Sequence, residues 1–122
     1  MNTHLVCQLK TADRDTTDIV FFENGAGQDV ENGFEGPGAL CQKLTTTWFN
    51  RDEHKNQPVK STEWAIDLMN RCFGMNVNFI MNLSPDENGV IGDNLACRFA
   101  EIGEKVNIPE PLVKIPDGWL KR

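Results

Sequence analysis

Long apolar runs are missing from this chain of 122 residues. Nothing approaches the roughly 18 to 20 consecutive apolar residues of a membrane-spanning helix, so no membrane partner is expected. Met1, Asn2, Thr3 and His4 supply neither the basic nor the apolar part of a secretory leader, and the sequence therefore names no compartment. Clustered cations are also missing. The Lys and Arg residues are dispersed through a chain of formal net charge -6. Nucleic acid is a poor partner for such a chain, because neutralising phosphates needs positive charge gathered in one place, and a neutral or polar ligand fits better. Closely spaced cysteines are missing too. Cys7, Cys41, Cys72 and Cys97 lie far apart, with no C-x-x-C or C-x-x-H pair to chelate a structural zinc, and neither a metal nor a cofactor is expected. Most of these cysteines sit among apolar residues, where a thiol behaves as a small hydrophobe. Buried free thiols are the expectation, with a disulfide as the alternative.

What is present suits one modest globular domain: 39% of residues are hydrophobic and 25% charged. Residues 4–10 (HLVCQLK) and 18–23 (DIVFFE) are short runs rich in Val, Ile, Leu and Phe, bounded by polar segments, and read as strands. The glycine-rich stretch 24–38 reads as a loop. Residues 42–49 (QKLTTTWF), with β-branched threonines before two aromatics, read as a further strand. Ser61 is placed to cap a helix whose apolar face holds Trp64, Ala65, Leu68, Met69 and Cys72, and which Gly74 can end in the left-handed conformation. Residues 76–84 alternate, with Val77, Phe79, Met81 and Leu83 on one side and Asn76, Asn78, Ile80 and Asn82 on the other. A turn at 85–89 follows, and then Asp93 is placed to cap a helix with Leu95, Phe99, Ile102 and Val106 at helical spacing. Pro109, Pro111 and Pro116 exclude a regular helix across the tail and suggest an extended strap over the surface.

Strands alternating with helices imply an α/β fold with a parallel sheet, since parallel neighbours need a crossover. GPGALCQKLTTTWF, followed by VKSTEWAIDLMNRCFGMNVNFIMNLSPDENGVIGDNLACRFAEIGEKV, resembles the C-terminal part of the catalytic barrel of family-29 glycoside hydrolases, the α-L-fucosidases. That family's strand Gly-Asn-Leu-Leu-Leu-Asn-x-x-Pro corresponds here to Val77-Asn78-Phe79-Ile80-Met81-Asn82-Leu83-Ser84-Pro85, followed by Asn88-Gly89 and Ile102-Gly103. The similarity covers roughly 18–106. FFENGAGQ at 21–28 and the proline-rich ending resemble a bacterial subgroup, which places the absent part on the N-terminal side.

The resemblance implies a partial (β/α)8 barrel of the TIM type, its C-terminal half, over 1–106, with a Pro-rich tail over 107–122; a whole barrel takes about 250 residues. It implies a retaining glycosidase, in which an aspartate attacks the anomeric carbon and a second carboxylate, about 5 Å away, protonates the departing oxygen. The family's nucleophile and its sugar-binding histidines lie upstream of the matched segment. The isolated chain is therefore expected to be inactive, with an α-L-fucoside or fucosylated glycan as ligand, and to associate with itself or with the absent N-terminal half. Glu23, at the end of a strand that opens into a loop, is the acid/base candidate, ahead of Glu31 and Glu35; the alternative is loop solvation. Trp48 corresponds to the family's aromatic against the apolar face of fucose, and a core Trp is the alternative. Trp64 reads as core. Asn78 and Asn82 read as satisfying buried backbone groups, while His4, His54 and the charged run 51–55 read as solvated surface. Two other readings stay open: a noncatalytic carbohydrate-binding or interaction module, and an independent small α/β domain.

Overall fold

A computed structural model describes residues 19–23, 29–50, 58–114 and 116. The strand expected at 4–10, together with His4, Cys7, His54 and the run 51–55, lies outside the described residues. The chain is α/β. Strands β1 (Val20–Glu23), β2 (Gly38–Lys43) and β3 (Val77–Asn82) form one parallel sheet in the order β1-β2-β3. Helix α1 (Thr62–Gly74) connects β2 to β3, and α2 (Asp93–Lys105) follows β3. No described helix is long and apolar enough to cross a membrane.

Period-two alternation decides what each strand buries. In β1, Val20 and Phe22 point into the core, and Phe22 is fully buried. Phe21, between them, is 48% exposed. The pairing register puts Phe22 beside Leu40 and Leu40 beside Phe79, so these residues share the helix-covered side. Val20, Phe22, Val30, Leu40, Cys72 and Val77 form one buried cluster, with Phe34 meeting Phe22 edge to face. Leu44, Ala65, Leu95 and Ile102 form a second cluster between the helices and the end of β2. The other side of the sheet carries Ile19, Phe21 and Ile80, all left substantially exposed.

The second strand is displaced from where β-propensity points. Residues 44–49 form bends, and the strand is Gly38–Lys43. The threonines turn the chain by hydrogen bonding to nearby carbonyls: Thr45 Oγ1 donates to Thr47 O at 2.7 Å and Thr47 Oγ1 to Phe49 O at 2.9 Å. Such local bonds compete with a sheet ladder.

Helix α1 starts as expected, with the Trp64 N–H donating to Ser61 Oγ at 3.1 Å. Its end differs. Gly74 remains helical, Met75 is the cap, and the left-handed residue is Asn76 at φ 55. Asparagine enters that region more readily than most residues, and here its Nδ2 donates across the chain to Glu35 O at 3.5 Å. At α2 the cap is Gly92, whose carbonyl receives the Leu95 and Ala96 N–H groups, so Asp93 is already the first helical residue. Leu95 and Ile102 are buried as the periodicity requires, whereas Phe99 is half exposed. Polar contacts fasten α2 to the start of α1: Thr62 Oγ1 donates to Glu101 Oε2 at 3.0 Å and Arg98 Nη1 to Lys60 O at 2.7 Å.

The tail from 106 to 114 has no regular structure, but Ile108, Leu112 and Val113 are largely exposed rather than strapped onto the core. Cys41, Cys72 and Cys97 are free thiols. Burial raises the Cys72 pKa to about 11, so it packs as an apolar residue.

Candidate functional site

In a parallel sheet every strand ends on the same edge, and the residues collected there are those at the C-terminal ends of β1, β2 and β3. On the side away from the helices, the register sets Glu23 beside Cys41 and Cys41 beside Ile80. One step further along, Lys43 stands beside Asn82. Burial, and then the nearby charge of Glu23, raises the Cys41 thiol pKa, as expected for a thiol next to a carboxylate.

Trp48 joins this edge from the bends after β2. Its carbonyl accepts from Asn82 Nδ2 at 2.9 Å and from Ser84 Oγ at 2.6 Å, while Asn82 Nδ2 also donates to Ser84 Oγ at 3.1 Å. Asn82 therefore satisfies a backbone group, as the sequence suggested, and by doing so ties the bend that carries Trp48 to the end of β3. Asn78 does not play this part, because it is exposed on the open side of the sheet. The Lys43 ammonium lies 4.9 Å from the centre of the Trp48 ring, within range of a cation–π attraction. Lys60, whose Nζ is 4.2 Å from the centre of the Trp64 ring, has its pKa lowered by burial and secondarily by Lys43.

Trp48, Phe49, Asn82, Ser84, Pro85 and Asp86 border a groove of about 430 Å³. Its far rim is a turn organised by one carboxylate. Asp86 Oδ1 accepts from the N–H groups of Asn88 and Val90, both at 2.9 Å, and the Asp86 N–H donates to Val90 O, also at 2.9 Å. Gly89, at φ +79, occupies the position that needs a left-handed residue.

The sequence-derived candidates separate. Glu23 and Trp48 end on the same edge of the sheet. Glu35 lies beside Asn76, at the opposite end, and Glu31 is exposed in the same loop. Trp64 is only half buried, packed at the margin of the second cluster. Lys43 and Cys41 were not foreseen. Had the strand been placed at 38–43, alternation alone would have put both on the side of Glu23.

The edge offers an aromatic face, an ammonium, the Asn82 amide, a rim organised by the Asp86 carboxylate, and the Glu23 carboxylate at the end of β1, a set suited to a polar ligand with some apolar surface. Among the described residues, no group of three or more His, Cys, Asp or Glu side chains is arranged to hold a metal ion. No protein-family model matches the chain, and no curated protein matches it significantly.

Proposed function

We propose that the chain is the C-terminal part of a (β/α)8 barrel of the α-L-fucosidase type and supplies one wall of its sugar pocket. The observation that carries this reading is the gathering of Glu23, Lys43, Asn82 and Trp48 at the C-terminal ends of parallel strands, where barrel enzymes of this architecture build their sites. The exposure of Phe21 and Ile80, on the side of the sheet away from the described helices, supports it. All-parallel sheets are normally covered on both faces, and inside a barrel Phe21 and Ile80 would pack against the inward residues of the other strands. The partner that covers this side is the absent N-terminal half, or failing that a second copy of the chain.

In this role Trp48 receives the C–H face and methyl group of an α-L-fucoside. Glu23 protonates the departing oxygen and later activates water, while the nucleophilic aspartate comes from the upstream half. The isolated chain then binds without turnover. A second reading, a noncatalytic carbohydrate-binding module, draws on the aromatic and amide groups of the Trp48 groove, which suit binding a sugar without any chemistry on it.

Both readings expect L-fucose to change the Trp fluorescence of the isolated chain and Trp48→Ala to abolish the change. They part when the N-terminal half of a family-29 barrel is supplied. The fragment reading expects hydrolysis of an aryl α-L-fucoside only in the mixture, lowered about 100-fold or more by Glu23→Gln. Turnover by the isolated chain, or a fucose response unaltered in Trp48→Ala, overturns the fragment reading.

A further inference from the structure

The tripeptide Glu-Asn-Gly recurs in the chain, at 23–25, 31–33 and 87–89. Glycine has no side chain to shield its backbone nitrogen, so in each copy that nitrogen can approach the side-chain carbonyl carbon of the asparagine before it. Asn24 and Gly25 lie outside the described residues. The other two copies are both exposed, and they differ in what their backbone N–H groups do.

At 87–89 the nitrogen is engaged. The Gly89 N–H donates to Asp86 O at 3.0 Å, and the Asn88 N–H before it donates to Asp86 Oδ1 at 2.9 Å. At 31–33 the turn is closed one residue later, by the Phe34 N–H donating to Glu31 O at 3.1 Å, and this leaves the Gly33 N–H outside the bond. Among the described residues, neither that N–H nor the Asn32 amide meets a hydrogen-bond partner. A methyl group at Gly33 would meet nothing within 4 Å, so nothing crowds the nitrogen either.

We propose that Asn32 is a site of spontaneous backbone modification, and that the fold spares Asn88. The Gly33 nitrogen attacks the Asn32 side-chain carbonyl carbon and gives up its proton to solvent; the amide nitrogen takes up a proton and leaves as ammonia, closing a succinimide ring. Water then opens the ring. Breaking the bond between the Gly33 nitrogen and the side-chain carbon leaves aspartate, whereas breaking the bond to the main-chain carbon leaves isoaspartate, which routes the backbone through the side chain. The second product lengthens the turn that the Phe34 N–H spans. Phe34 packs edge to face on the buried Phe22, and Val30, buried on the other side of the turn, belongs to the same cluster. The modification therefore loosens the core from the loop before β2, at the end of the sheet away from the Trp48 groove, while the groove's rim at 86–90 persists. None of this depends on the fucosidase reading.

The test is incubation of the full chain in mildly alkaline water enriched in heavy oxygen, followed by peptide mapping with fragment spectra that tell Asn24, Asn32 and Asn88 apart. Conversion at Asn32, with uptake of solvent oxygen, should run about tenfold faster than at Asn88, roughly the factor that a protecting hydrogen bond supplies. In urea the two rates should converge, since the reacting tripeptide is the same. Equal rates in the folded protein, faster conversion at Asn88, or a ratio that survives urea would each overturn the proposal. For the effect on the core, Asn24→Gln is carried through so that Asn24 cannot contribute: the urea midpoint should fall on incubation when Asn32 is present and hold when Asn32→Gln is added. A midpoint that stays constant while isoaspartate accumulates at position 32 overturns the loosening of the core. The rate comparison needs no variant, so it decides even if a substitution disturbs folding.

Discussion

Phe22→Ala is expected to destabilise the protein by about 3–5 kcal/mol, a large part of what a domain of this size has to lose. Phe22 is fully buried and sits between the sheet and the loop before β2, its ring 5.2 Å from that of Phe34 at an interplanar angle of 89°. The cavity left by truncation is hard to close, because its walls belong to different elements: Leu40 and Val77 on neighbouring strands, Cys72 on α1 and Val30 in the loop. The same substitution at Phe21 provides the comparison. It removes the same side chain one residue earlier, but from the open side of the sheet, where the ring is 48% exposed. Phe21→Ala should cost no more than about 1 kcal/mol in the isolated chain, as surface substitutions generally do. Urea unfolding of both variants measures the contrast, and equal shifts in midpoint would refute the assignment of faces.

Gly36→Ala should be nearly as damaging, for a reason found in the backbone. Gly36 has φ +70, and a Cβ built on it would stand 2.5 Å from the carbonyl oxygen of Asn76. That oxygen also accepts from the Gly38 N–H at 3.3 Å, so the starts of β2 and β3 are joined where the methyl group would go. Left-handed backbone costs a non-glycine residue about 1–2 kcal/mol, and moving two strand ends apart adds to it, for a total on the order of 3 kcal/mol. Gly33 separates the two contributions. It has φ +87, and a methyl group added there would meet nothing within 4 Å, so Gly33→Ala should show only the conformational part. Finding the two variants equally stable would mean that the contact with Asn76 carries no weight.

The helices were the most legible part of the sequence. Ser61 and the apolar spacing behind it specify α1 with local information, and Leu95 and Ile102 do the same for the buried stripe of α2. Strand β2 was not legible. As the central strand it is held by neighbours on both sides and by the helix above it, so Gly38, Ala39 and Gln42 can serve despite weak β-propensity. The threonines after it, good strand formers in isolation, spend their hydroxyls on turning the chain. That displacement hid the site: reading the strand too late concealed which side Cys41 and Lys43 share with Glu23. Gln42 was hidden for a different reason: nothing in a sequence marks an amide that is buried on β2 and whose oxygen, among the described residues, meets no hydrogen-bond donor. The role of Asn82 was legible in kind, because an amide on a strand face that carries no charge of its own can serve a backbone group; which carbonyl it serves depends on the bend at Trp48.

The turn around Asp86 has a thermodynamic meaning for whatever occupies the Trp48 groove. A loop that orders on contact subtracts its lost chain freedom from the affinity, whereas this rim holds its shape through bonds to its own carboxylate and carbonyl. Ligands should therefore meet a prepared margin, so that tightness of binding reflects contact with Trp48 and Asn82 and the release of water rather than the cost of arranging the chain.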